Sequence, residues 1–140
     1  MAKLSERIQV ELDNIIKVLD EISKISNKKK KSTAELAGLA TFIHNFYNGI
    51  ENILNQILKE QKIKVIRSET WHKDLLKISA ENNVITDNLK TELSGYLAFR
   101  HFFVHAYGFM LREDDLKILI VKANQTFFLF KEEISKYSVD

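Results

Sequence analysis

Apolar residues recur along this chain at alternating steps of three and four, the spacing of one face of an α-helix. Ile8, Leu12, Ile15, Leu19 and Ile22 form the first such stripe and predict a helix from about Leu4 to Ser26. Asn27–Ser32 is polar and holds Lys28, Lys29, Lys30 and Lys31, four adjacent like charges that favour a loop over a compact helix. Ser32 or Thr33 can cap a second helix, because a hydroxyl accepts from the free backbone N–H groups of the first turn. Leu36, Leu39, Ile43, Phe46, Ile50, Ile53 and Ile57 carry that helix to about Lys62.

Lys64–Ser68 reads as a connection. Trp71, Leu75 and Ile78 mark a short third helix from Glu69 to about Ala80, broken by Glu81-Asn82-Asn83. A fourth helix begins at Thr86 or Asp87. It bears one stripe through Leu89, Leu93, Leu97, Arg100, Val104 and Tyr107, and a second through Tyr96, Phe99, Phe103, Ala106 and Met110. Gly108 ends or loosens it. A helix apolar on two sides needs cover on two sides, so one side should meet a partner chain. The last helix runs from about Glu113 to Tyr137 through Leu116, Ile120, Ala123, Phe127, Phe130 and Ile134. The expected fold is all-α, an antiparallel up-and-down four-helix bundle with an additional short helix, in a single domain over residues 1–140.

Composition narrows the chemistry. With no Cys, thiol catalysis, disulfides and Cys-based zinc sites are excluded. The absence of Pro, with only four Gly, suits long helices. A net charge of +2 argues against binding nucleic acid by bulk charge, although local anion sites stay open. No apolar run approaches the ~20 residues of a membrane span, and the N-terminus lacks a signal-peptide pattern, so a cytoplasmic location is expected.

One segment concentrates functional side chains: Arg100-His101-Phe102-Phe103-Val104-His105-Ala106-Tyr107. An imidazole such as His105 can exchange protons near neutral pH, and the planar fork of Arg100 suits a phosphoryl group. Such a pair fits RNA cleavage without metal, in which a base takes the ribose 2′-proton and a cation stabilises the phosphorane. On an ideal helix Arg100 and His105 stand roughly 140° apart. Either the helix is distorted before Gly108 or a second protomer completes the site, which points to a composite site at a two-fold interface. His101 and His105 also share the i, i+4 spacing of a metal pair, but no Glu lies between them and no third ligand is evident, so no metal is expected.

The spacing Arg-x4-His-x-Tyr, met by Arg100, His105 and Tyr107, resembles the signature of the HEPN superfamily, and within it the HepT-like ribonuclease toxins. His101 suits the polar position after the Arg. Segments His44–Ile53 and Trp71–Leu76 resemble the second- and third-helix patterns of that family. The resemblance implies a homodimeric helical toxin of a type VII-like toxin–antitoxin pair. It would be a metal-independent endoribonuclease acting on tRNA or mRNA, with Arg100, His105 and His101 in the catalytic cleft. The implied partner is an MntA-type nucleotidyltransferase antitoxin that silences it by adenylylating Tyr107. A non-catalytic helical partner of a nucleotidyltransferase is the alternative, since some relatives lack the catalytic pair. No cofactor is implied.

Outside the motif, Glu51 is either a surface carboxylate or a buried partner for Arg100 or a His. Lys28, Lys29, Lys30 and Lys31 form either a solvated loop or an RNA contact. His44 and His72 read as ordinary polar helix residues.

Overall fold

The computed structural model describes residues 2–139 and contains five α-helices: α1 (Leu4–Ser26), α2 (Thr33–Glu60), α3 (Trp71–Glu81), α4 (Asp87–Phe103) and α5 (Glu113–Glu133). Two short 3-10 turns, Gly108–Met110 and Ser135–Tyr137, follow α4 and α5. Among the described residues there is no strand, so the expected all-helical class holds.

Cross-helix contacts give the direction of each helix. Gly38 faces Ile25 and Gly49 faces Ile15, so α2 runs back along α1. Lys122 pairs with Glu92, while Glu133 accepts from the backbone N–H and the hydroxyl of Thr86, so α5 runs back along α4. His44 stacks on Phe103 and Phe46 meets Tyr96 edge-to-face, so α2 and α4 are antiparallel as well. The four long helices therefore alternate in direction, and α3 packs on α2 and α4. Their shared core contains Ile8, Ile15, Leu39, Phe46, Ile50, Leu54, Leu75, Leu93, Leu116 and Phe130, all buried.

Local chemistry sets the helix ends. The Ser32 hydroxyl accepts from the Glu35 N–H, and the Glu35 carboxylate accepts from the Ser32 N–H, a reciprocal capping box. Helices α2 and α3 both close with a left-handed residue, Lys62 (φ 60°) and Asn83 (φ 58°). Each end carries paired bonds from the next two amides back into the last turn: Lys62 to Lys59 and Ile63 to Leu58, then Asn83 to Ala80 and Val84 to Ser79.

Several boundaries differ from the sequence expectation, among them the end of α2 at Glu60 rather than near Lys62. Helix α3 starts at Trp71, two residues late, and α5 stops at Glu133 before the 3-10 turn. The largest departure is α4, which ends at Phe103 rather than near Gly108. Its last amides tighten to i→i−3 bonds, His105 to Phe102 and Ala106 to Phe103. Tyr107 is then extended (φ −80°, ψ 147°). The apolar pattern continues past Phe103, but Phe102, Val104, Tyr107, Phe109 and Met110 are all exposed, so no core contact extends the helix.

Candidate active site

The early end of α4 determines how the motif residues are presented. Arg100 lies in the last turn of the helix and is half-buried, with its Nε buried and without a hydrogen-bond partner. His101 and His105 are exposed, and their rings meet edge-to-face at 5.3 Å between centroids. Of the two expectations, distortion before Gly108 is the one seen within the chain. Tyr107 is 66% exposed and stacks in parallel on Phe109, 5.6 Å away. It is therefore accessible in this chain rather than part of its core.

Two recesses adjoin this segment. One, of about 410 Å³, lies between the start of α3 and the end of α4 and is lined by Thr70, His72, Lys73, Arg100 and His101, among others. The second, of about 210 Å³, is lined by His101, Phe102, His105, Ala106 and Met110. His101 belongs to both. Arg100 lines the first recess and His105 the second, and His101 joins the two.

Behind Arg100 lies a polar cluster within the bundle. Glu51 on α2 is only 2% exposed, and both its carboxylate oxygens meet His72 Nδ1, at 2.9 and 3.0 Å. The surface alternative for Glu51 is thereby excluded, and its bonded partner is His72 rather than Arg100. Burial pushes the Glu51 carboxyl above its ordinary value, opposed by His72, then Tyr47 and Arg100. The Tyr47 hydroxyl is buried beside Glu51 without reaching hydrogen-bond geometry, and burial raises its pKa strongly. His44 stacks on Phe103 at 5.0 Å. Burial lowers the His44 pKa, with the charges of Arg100 and His72 adding to the effect.

His44 and His72 are therefore members of this cluster rather than ordinary polar helix residues. A signal for it exists in the sequence: His44, Tyr47 and Glu51 step by three and four, a polar stripe inside an otherwise apolar helix. His72 carries no such signal, because its contact with Glu51 is tertiary.

The lysine run does not stand free as a unit. Lys31 is nearly buried, pairs with Glu113 at the start of α5 and donates to the Lys28 carbonyl at 2.9 Å. Lys28 pairs with Glu35. Lys29 and Lys30 are exposed. Among the described residues no group of three or more His, Cys, Asp or Glu is placed to hold a metal ion, and no helix is long and apolar enough to cross a membrane.

Comparison with known proteins supports the architecture. A solved structure of a mutant of the toxin–antitoxin MntA-HpeT aligns with a TM-score of 0.68 at 19% identity, covering 91% of this chain and 94% of that one. A structure of a toxin–antitoxin with AMP-PNP aligns at 0.71 and 17% identity, covering 100% of both chains. At these identities the likeness establishes the fold. No functionally curated protein matches. The model of the HepT-like protein family matches residues 38–140, a span that runs from the second turn of α2 through α5 and includes both recesses and the complete Arg100–His105–Tyr107 set, so the chain belongs to the HepT-like family.

Proposed function

We propose that the protein is the toxin of a toxin–antitoxin pair and acts as a metal-independent endoribonuclease. The observation that carries this reading is the end of α4 at Phe103, which sets His105 and Tyr107 in an exposed segment beside the half-buried Arg100. His105 takes the proton of a ribose 2′-hydroxyl, whose oxygen attacks the adjacent phosphorus. Arg100, with an unpartnered Nε and a planar fork of donors, holds the phosphodiester as negative charge builds on it. His101, between the two recesses, assists by polar contact. The products are a 2′,3′-cyclic phosphate and a 5′-hydroxyl. DNA lacks the attacking hydroxyl and is not cut by this route.

Two copies of the chain form the active particle in this reading, their exposed Phe102, Val104, Phe109 and Met110 covering one another. The partner is a nucleotidyltransferase of the MntA type, which transfers AMP to the exposed Tyr107 hydroxyl. A phosphodiester added there places negative charge and bulk beside Arg100, which closes the site to RNA. Lys29 and Lys30 are the members of the lysine run available to the RNA backbone.

The test is incubation with total RNA in EDTA. The wild type is expected to yield fragments with 2′,3′-cyclic ends. His105→Ala and Arg100→Ala should each lose roughly 10²-fold or more of the rate while keeping their helicity. RNA left intact by the wild type would sink the nuclease reading in favour of a non-catalytic partner. Intact mass after treatment with the nucleotidyltransferase and ATP reads the modification, which Tyr107→Phe should abolish.

A further inference from the structure

We propose that His72, held by Glu51, is a second catalytic imidazole that protonates the departing 5′-oxygen. The inference rests on the nuclease reading above and adds a residue to it. Cleavage of RNA by its own 2′-hydroxyl is an in-line displacement, with the entering and leaving oxygens on opposite sides of phosphorus. The base that accepts the 2′-proton is on the wrong side to serve the leaving group. A second donor therefore has to lie across the phosphate-binding residue from His105.

His72 is the imidazole that shares a recess with Arg100 and His101 without being His105 or its neighbour on α4. It lines the recess that Arg100 and His101 also line, while His105 lines the adjoining recess, which shares His101. Its Nδ1 is committed to both oxygens of the buried Glu51 carboxylate. That contact fixes the ring and leaves Nε2, on the far edge, as the nitrogen available to the recess; the side chain is 29% exposed. The charged and titratable neighbours are Glu51 and His44 on α2, Glu69, Lys73 and Asp74 around the start of α3, and Arg100 and His101 on α4.

The step balances. The 2′-proton goes to His105, the O2′–P bond forms, the P–O5′ bond breaks, and the Nε2 proton of His72 goes to O5′. His72 is left neutral, its remaining proton on Nδ1 and donated to Glu51, and exchange with water restores both imidazoles. Glu51 acts through His72 and is a positioning residue.

His72→Gln is expected to cut ordinary RNA roughly 10²-fold more slowly in kcat. It should cut a substrate with sulfur at the bridging 5′ position at close to the wild-type rate, because a thiolate leaves without a proton. Glu51→Gln should lower kcat on ordinary RNA with the same sulfur rescue. Equal slowing on both substrates, or no slowing, overturns the proposal. A second measurement does not depend on cleavage: inorganic phosphate titrated into the wild type should shift the His72 Nε2 resonance, and should not in Arg100→Ala. An unmoved resonance overturns the proposal even if the protein cuts RNA. A wild type that cuts nothing overturns the nuclease reading instead, and the proposal with it.

Discussion

His44 shows how a single side chain can report on the buried cluster. It stacks on Phe103 on one side, and its Nδ1 is buried without a partner. Burial, then Arg100 and His72, hold its pKa below the ordinary 6.5. A histidine with a depressed folded pKa binds fewer protons folded than unfolded. Its contribution to stability is therefore complete above pH 6.5 and is lost as pH falls through the depressed value. The wild type should lose urea resistance as pH falls below 6.5, and His44→Phe, which keeps a ring against Phe103, should lose less. Identical slopes of midpoint against pH in the two proteins would show that His44 is not the titrating group. In sequence His44 looks like an ordinary helix residue, because periodicity records which face a residue occupies and not what crosses from the next helix. Glu51 left two alternatives open for the same reason. Arg100, His105 and Tyr107 could be singled out in the sequence because their signal is a spacing, and spacing is local.

Helices were legible wherever burial and apolar character coincide. Helix α1 runs over the expected Leu4–Ser26, and α2 starts at Thr33 after the Ser32 cap. At the end of α4 the two part company, since apolar residues continue into positions that this chain leaves exposed, and the helix could not be ended from its pattern. The close approach of α1 and α2 was also hidden, because it rests on a missing atom. A Cβ on Gly49 would stand 2.7 Å from Ile15 Cγ1 and 3.0 Å from Ile15 Cδ1. Ile15 is buried and β-branched, so the clash cannot be relieved by swinging a free side chain. Alanine in place of a helix-interior glycine ordinarily gains about 1 kcal/mol. Here overpacking of roughly 1–3 kcal/mol opposes that gain. Gly49→Ala should therefore be neutral to destabilising by up to about 2 kcal/mol, and equilibrium urea unfolding measures it. A gain of a full kilocalorie would mean that the helices separate at no cost.

At the scale of the whole molecule, the surface has two apolar regions of different character. Ile118, Val121 and Phe128 lie exposed along α5, spaced as one helical face. Phe102, Val104, Phe109 and Met110 lie exposed around the motif itself, with Phe109 75% accessible. The second group adjoins Arg100 and His105, so covering it with another copy brings two motifs together and completes the cleft proposed above. Charge does not oppose this association, since each chain carries only +2. Phe109→Glu should therefore convert a dimer to a monomer in sedimentation at micromolar concentration. Val121→Glu, a similar insult on α5, should leave the dimer intact. Cleavage should fall in parallel with dimer content for Phe109→Glu and recover as protein concentration rises, because dilution and mutation act on the same equilibrium. A monomeric Phe109→Glu that cuts RNA at the wild-type rate would show that one chain holds the whole site. A dimer that survives Phe109→Glu but dissociates with Val121→Glu would move the interface to α5, leaving the motif segment open for the nucleotidyltransferase.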